Sequence, residues 1–137
     1  LVLYTLLFVI FFASFVWTLS QRSAVDFNIT RAHLYPFSSR FESGKKIIQN
    51  QIQMHLKNQT DAPLVVNILL SEKNIARGFR LSSPASELRL AAEQDVKMPA
   101  FIEIDENQYS LNNNSIEIIL VTDKTRIIKL FKFIKVE

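Results

Sequence analysis

The chain opens with an unbroken apolar segment and then changes to stretches in which apolar and polar residues alternate. The apolar segment covers residues 1–19 and contains no charged residue. At 1.5 Å of rise per residue, a helix of this length spans roughly 28 Å, close to the ~30 Å hydrocarbon core of a bilayer. Tyr4 and Trp17 lie near its two ends, where aromatic rings favour the headgroup level. The pattern therefore predicts a transmembrane helix at residues 1–20.

A cleaved signal peptide is the alternative interpretation of the same segment. It would begin with Met and a basic region, contain a shorter apolar stretch and end in a small-residue cleavage site. The chain begins at Leu1 and shows none of these features clearly. We therefore favour a membrane span and expect the chain to be part of a longer membrane protein. A core helix of a soluble protein is the third interpretation, but such a helix rarely lacks charge over this length.

From residue 24 onward the alternation predicts an all-β domain. Val25, Phe27 and Ile29, for example, are separated by polar residues, which is the period of a half-buried strand. Eight such stretches are present, at residues 25–30, 46–57, 64–70, 74–81, 86–91, 95–104, 115–122 and 126–136. Residues rich in Pro, Ser and Gly, such as 33–44, separate them and are interpreted as loops. The spacing predicts an immunoglobulin-like β-sandwich of about 7–8 strands over residues 24–137.

Two of these stretches carry a feature that affects their position in the sheet. Pro99 cannot donate a ladder hydrogen bond, so we expect it at an edge or in a bulge. In the last stretch Lys129, Lys132 and Lys135 recur every third residue, as they would on one face of a helix. The β-branched and aromatic residues of the same stretch favour a strand.

In the stretch 46–57 the residues of the two strand faces differ most clearly in polarity. One parity holds Ile48, Asn50, Ile52, Met54 and Leu56, and the other holds Gln49, Gln51, Gln53, His55 and Lys57. Amides donate and accept hydrogen bonds without charge, and an exposed edge can recruit an extended segment of another protein. We therefore interpret Gln49, Gln51, Gln53 and His55 as a candidate surface for a partner strand, with an ordinary solvated face as the alternative.

The adjacent pair Met54 and His55 suggests a copper site. Consecutive side chains of a strand point to opposite faces, so these two cannot hold one ion without a bulge. Neither a Met-x-x-Met nor a His-x-His run is present. The pattern predicts Met54 in the core, His55 in solvent and no metal site.

Composition excludes further classes of chemistry. Cysteine is absent, which excludes disulfides, thiolate metal ligands and iron–sulfur clusters within this chain. His33 and His55 are the two histidines, and neither neighbours a nucleophile motif, so we predict no catalytic residue. The net charge of +3 is spread over basic residues interleaved with acids, which disfavours nucleic acid as a partner. Glycosylation sequons at Asn28, Asn58 and Asn113 are weak motifs in a chain rich in asparagine.

The order of the elements, a span followed by these strands, resembles the C-terminal region of the FixG/CcoG family of cytochrome c oxidase accessory proteins. The residues that carry the resemblance are Arg31, Leu34, Tyr35, Gly44, Asn50, Lys57, Asn58 and Pro63. The chain departs from the family pattern at Arg31, Ala32 and His33, where the family usually has Asp-Arg after the strand. It departs again at Gln51, at or near which an aromatic residue is usual. From Asn74 onward only the strands correspond.

The resemblance implies a larger parent protein with several spans and a ferredoxin-like region that binds 4Fe-4S clusters. It further implies a role in copper handling during assembly of a cbb-type cytochrome oxidase, with oxidase subunits or assembly factors as protein partners. The domain would then lie on the periplasmic side of a bacterial inner membrane, although the visible flank of the span does not by itself set an orientation. No cofactor is expected in this chain.

These observations favour a non-catalytic, membrane-anchored interaction domain of such an accessory protein. The alternative is an extracytoplasmic ligand-sensing domain of a membrane receptor, which would need an output module elsewhere in the protein. A copper-binding domain is a third hypothesis, and it would require measurable affinity of the soluble part for copper.

Overall fold

The computed structural model describes residues 1–135, the side chain of Asn113 excepted. Val136 and Glu137, the ends of the predicted last strand and of the predicted domain, lie outside the described residues. The helices are α1 (Val2–Ser20) and α2 (Glu72–Ala76), and short 3₁₀ turns cover Glu106–Gln108 and Leu111–Asn113. The strands are β1 (Val25–Arg31), β2 (Phe37–Glu42), β3 (Lys45–Asn58), β4 (Leu64–Leu70), β5 (Arg80–Ser82), β6 (Glu87–Leu90), β7 (Asp95–Asp105), β8 (Ser115–Val121) and β9 (Arg126–Lys132).

The strands form two antiparallel sheets, so the predicted immunoglobulin-like sandwich is confirmed, with nine strands in residues 1–135 where about 7–8 were predicted. One sheet has the order β1-β3-β7-β5. On the side of β3 opposite β7, β2 pairs with the first half of β3 and β1 pairs with the second half. The other sheet has the order β6-β4-β8-β9. The strand β3 is therefore central, with β7 on one side and β1 and β2 on the other.

The core lies between the sheets. It is formed by the alternate residues of each strand that the sequence pattern predicts to be apolar. The five-stranded sheet contributes Val25, Phe27, Ile48, Ile52, Met54, Leu56, Met98, Ala100, Ile102 and Ile104, all buried. The four-stranded sheet contributes Val66, Ile68, Leu70, Leu90, Ile116, Ile118, Leu120 and Phe131. Burial of each large side chain stabilises the fold by about 1.5–3 kcal/mol, and the chain has no cysteine to crosslink it.

The helix α1 is long and apolar enough to cross a membrane, and none of its residues is buried in the protein. The hydroxyls of its Thr and Ser residues form hydrogen bonds within the helix. The hydroxyls of Thr5, Ser14 and Thr18 donate to the carbonyls four residues earlier, at 3.1, 2.9 and 2.8 Å. This pattern suits a hydrocarbon environment, where an unpaired polar group is costly. Residues 21–24 join α1 to β1.

The prediction of a loop over residues 33–44 is wrong, because β2 lies within it. The turn at Ser43 and Gly44, with φ values of 50° and 78°, reverses the chain and brings Phe37–Glu42 against β3. Every residue of β2 is exposed, so its sequence shows no alternation of buried and exposed positions.

The prediction of a strand over residues 74–81 is also wrong in its first half. Ser71 caps α2, its hydroxyl oxygen accepting from the Asn74 N–H at 3.3 Å, and the helix continues to Ala76. Gly78 then adopts a φ of 93°, and only Arg80–Ser82 forms a strand.

Two further expectations are confirmed. The β3–β7 register is unbroken from Ile47 opposite Asp105 to Lys57 opposite Asp95, so Pro99 does not lie in a bulge. It lies on an edge segment of β7, because β5 pairs only with residues 101–103. The last stretch is a strand over Arg126–Lys132 and leaves the sheet after it.

Candidate functional site

The four residues of the predicted partner surface lie on the outer face of β3. Gln53 is exposed, whereas Gln49, Gln51 and His55 are half-buried. The backbone of β3 is paired along both sides, since even Gln51 donates to the Pro36 carbonyl and accepts from the Ala32 N–H, both at 3.1 Å. A partner strand therefore cannot pair with β3, and a partner could reach these side chains only from the face of the sheet.

Strand geometry separates Met54 from His55 as predicted. Met54 is fully buried in the core. His55 lies on the outer face, where its Nε2 forms a hydrogen bond with the carboxylate of Asp95. It is therefore half-buried and paired, in contrast to the predicted position in free solvent. Residues 1–135 contain no group of three or more His, Cys, Asp or Glu side chains arranged to hold a metal ion.

A polar row crosses the outer face of the five-stranded sheet. The registers place Ser38, Gln49, Glu103 and Arg80 opposite one another on β2, β3, β7 and β5. The Ser38 hydroxyl donates to Gln49 Oε1, and Gln49 Nε2 donates to Glu103 Oε1, each at 3.1 Å. Because each side chain bonds to the next strand, the row connects the strands at this level of the sheet.

Glu103 is the buried charge at the centre of this row. Arg40 binds its carboxylate in a bidentate manner, Nη1 to Oε1 at 2.9 Å and Nη2 to Oε2 at 3.2 Å, and Arg80 Nη2 lies 3.8 Å from Oε2. A hydrogen bond to Glu42 and the charge of Glu103 raise the pKa of Arg40 above its ordinary value. A buried carboxylate needs such partners, so this cluster compensates the charge of Glu103 and leaves little capacity to bind a ligand.

The segment after β9 is fixed across the end of the sandwich where the Ser43–Gly44 turn lies. Asn50, fully buried, donates from Nδ2 to the Ile134 carbonyl at 2.8 Å and accepts from the Ile134 N–H at 2.9 Å. Glu106 binds Lys135 at 2.9 Å and Lys46 at 3.4 Å. These cations, the Lys135 hydrogen bond foremost, lower the pKa of Glu106 below its ordinary value. Sequence reasoning missed this docking, because Asn50 is a polar residue on the parity of the core.

Asn58, which lies in a glycosylation sequon, has a structural role in the fold. Its side chain is fully buried, and Nδ2 donates to the carbonyls of Ala62 at 2.8 Å and Ala91 at 3.0 Å. Its Oδ1 accepts from the N–H and the hydroxyl of Thr60. In the folded domain this amide is therefore committed to joining the 59–63 and 91–94 turns and is closed to glycan attachment.

The outer face of the four-stranded sheet has an aliphatic cluster at its centre, with polar and charged residues around it such as Asn67, Glu117 and Arg126. Leu69, Ile119 and Ile128 lie opposite one another on β4, β8 and β9. Ile119 is only 2% exposed although it points away from the core, since its neighbours cover it, and Leu130 beside it is 70% exposed. The two outer faces of the sandwich thus differ, since only the second has an aliphatic cluster at its centre.

A second exposed apolar group lies around β2. Leu34, Tyr35 and Phe41 are 86%, 75% and 80% exposed, and Phe37 is partly exposed. Beside the turn of the β2–β3 hairpin lies an open depression of about 560 Å³, whose lining mixes Lys45, Arg80 and Asp105 with Phe79. Its charges are of both signs, so it shows no preference for an anion or a cation.

The comparisons with known proteins agree with this architecture. A family model described as "IG-like fold at C-terminal of FixG, putative oxidoreductase" matches residues 15–134. Among solved structures, the chain is similar to the "FixG-related protein from Vibrio parahaemolyticus", with a TM-score of 0.62 and 14% identity over 83% of this chain and 98% of that chain. At this identity the similarity shows a shared fold. No curated protein sequence matches the chain.

Proposed function

This chain belongs to the family of immunoglobulin-like domains at the C-terminus of FixG, and from that membership we propose that it is a non-catalytic, membrane-anchored interaction domain of a cbb-type cytochrome c oxidase accessory protein. The parent protein would carry iron–sulfur clusters outside this chain and act in copper handling. The partners would be oxidase subunits or other assembly factors in the same membrane.

The observation that carries the proposal is the junction between α1 and the sandwich. Only residues 21–24 separate the end of the helix at Ser20 from the start of β1 at Val25. Even fully extended, five Cα–Cα steps reach at most about 19 Å, so a helix that spans the bilayer holds the domain next to the membrane surface. A domain held in this way meets other membrane proteins at a high effective concentration.

The role is tested by removing the sandwich from the full-length protein. Deletion of residues 24–137 should reduce the amount of assembled oxidase while the iron–sulfur clusters keep their absorption and EPR signals. Normal oxidase assembly in the deletion strain would contradict the interaction role. Loss of the cluster signals would show instead that the domain is needed to build the redox centre.

The proposed side of the membrane is the periplasm of a bacterial inner membrane. Lys124, exposed in the turn between β8 and β9, offers a labelling position in a chain that lacks cysteine. In the full-length protein, Lys124→Cys should add labelling by a membrane-impermeant maleimide in intact spheroplasts, relative to the unsubstituted protein. Added labelling only after lysis would place the domain in the cytoplasm.

A further inference from the structure

The edge of β2 that faces away from β3 has unpaired backbone groups. Among the described strands, β2 pairs with β3 alone. Pro36 and Gln51 form a hydrogen-bonded pair at 3.1 Å, and such pairs alternate along an antiparallel ladder. Ser38, Arg40 and Glu42 therefore bond to β3, whereas the N–H and C=O groups of Phe37, Ser39 and Phe41 point away from it.

The long edge strand of the other sheet is protected against pairing. In β9, Lys129 lies on the inward parity, between the half-buried Ile127 and the buried Phe131. The Arg31 guanidinium donates to the Lys132 carbonyl at 2.7 Å and stacks on Phe131 at 4.8 Å, joining β1 to β9. Inward charges and occupied edge groups are ordinary means of preventing strand addition.

Of the remaining edges, β1 is a seven-residue strand that Arg31 links to β9, and the others are interrupted or short. The part of β7 that β5 leaves uncovered contains Pro99, which has no N–H to donate. The edge strands β5 and β6 have only three and four residues. The six residues of β2 contain neither Pro nor Lys. β2 differs from the other long edge of its sheet, β1, in that all its residues are exposed, whereas β1 buries Val25 and Phe27 in the core.

The side chains around this edge suit a strand as ligand. Phe37 and Phe41 share one parity of β2, and Leu34 and Tyr35 precede it, all exposed to some degree. The other parity holds Ser38, Arg40 and Glu42. A strand added here would place alternate side chains beside the two phenylalanines, where β-branched or aromatic residues pack best.

We propose that the free edge of β2 is a strand-addition site that takes an extended segment of a partner protein, with aromatic or β-branched residues at alternate positions. This inference rests on the proposed interaction role and moves the partner strand from β3, which has no free edge, to β2. It specifies main-chain hydrogen bonds from Phe37, Ser39 and Phe41 as the source of affinity.

A second copy of this chain is the other candidate occupant, and the membrane tether disfavours it. Ser39 lies opposite Ile48, ten residues along β3 from Asn58, which is paired with Val25. At about 3.3 Å per residue, an antiparallel β2–β2 pair would separate the two Val25 residues by roughly 66 Å along the strands. Both tethers could then reach one bilayer only with the sandwiches lying flat on it.

The test uses photo-crosslinking in the full-length protein in its native membrane. Benzoylphenylalanine in place of Phe41 should give one crosslinked product larger than the parent protein, and the same probe in place of Leu130, on the opposite sheet, should not. Ser39→Pro removes an outward N–H without touching the β2–β3 ladder and should lower the yield roughly tenfold, whereas Ser39→Ala keeps the N–H and should preserve it.

A second variant covers the event that Ser39→Pro unfolds the hairpin. With the probe in place of Tyr35, Phe41→Glu alters only an exposed side chain and should also lower the yield. A product with the mass of two parent proteins would assign the edge to a second copy. No product from Phe41, or equal yields from Ser39→Pro and Ser39→Ala in folded protein, would overturn the proposal.

The strand-addition site and the proposed function can fail separately. If deleting residues 24–137 impairs oxidase assembly while Ser39→Pro leaves both assembly and crosslinking intact, the interaction role stands without the β2 site. If crosslinking depends on Ser39 while the deletion leaves assembly normal, the edge binds a partner that serves another process.

Discussion

Asn50 shows how a single polar residue on a core-facing parity can connect distant parts of the chain. Its amide makes both hydrogen bonds to Ile134 with no exposure to water. Asn50→Ala should lower the free energy of unfolding by about 2–4 kcal/mol, because it removes both hydrogen bonds to the half-buried Ile134 and opens a small cavity. Denaturant titration followed by circular dichroism measures this. Gln53→Ala, on the exposed face of the same strand, is the control and should change stability by less than about 0.5 kcal/mol.

Glu106 makes the stability of the domain depend on pH. Its folded-state pKa lies below the ordinary value, so the unfolded chain takes up this proton first as pH falls. The stabilisation is complete above the ordinary carboxyl pKa and is lost as pH falls through the lowered folded pKa. Glu106→Gln should therefore give a flatter acid limb in thermal unfolding measured from neutral to acidic pH. Asp61→Asn, which removes an exposed carboxylate, is the matched control, and an equally flattened limb there would contradict the assignment.

At the scale of elements, the β2–β3 hairpin depends on its turn. Ser43 and Gly44 both have positive φ, and Gly44 has open space around the position of a Cβ. Gly44→Ala should thus cost only the backbone strain, about 1 kcal/mol. Gly78→Ala should cost more, because its φ is also positive and the added Cβ would overlap the side-chain amide of Gln108 unless that side chain moves. Thermal unfolding of the two variants gives the comparison, and equal losses would show that Gln108 moves aside freely.

The elements that sequence reasoning located are those with one buried face. In β3, β4 and β8 alternate residues enter the core, so period-2 patterning marks both the strand and its inner side. β2 has no buried position, so the turn residue Gly44 is the local sign of it in the sequence. α2 has five residues, too few to show a helical period, and its local sign is the N-cap residue Ser71. The outer face of Gln49, Gln51 and Gln53 was likewise visible from parity. The central position of β3 could not be predicted from parity, because the order of strands depends on which distant segments pair.

At the scale of the whole molecule, the sandwich exposes three surfaces of different chemistry. The outer face of the five-stranded sheet is polar and bonded across its strands, the outer face of the four-stranded sheet has an aliphatic cluster within a polar surround, and the β2 edge offers unpaired backbone groups. β2 pairs with the end of β3 farthest from Asn58, and Asn58 is opposite Val25, which the four-residue tether 21–24 joins to α1. A partner that binds this edge therefore contacts the part of the sandwich farthest, along β3, from the tether.

The length of the tether between α1 and β1 should control how well the protein supports oxidase assembly, without affecting the fold of the sandwich. Inserting ten Gly/Ser residues between Ser20 and Val25 raises the tether from four to about fourteen residues, and the effective concentration of the domain at a partner in the same membrane should fall roughly sixfold. Oxidase assembly in cells carrying the full-length protein should decrease accordingly, while thermal unfolding of the sandwich stays unchanged. Replacing residues 21–24 by four Gly/Ser residues keeps the length and should leave assembly normal. If that replacement is as harmful as the insertion, the sequence of the tether matters and not its reach; if neither has an effect, the domain acts without being held at the membrane surface.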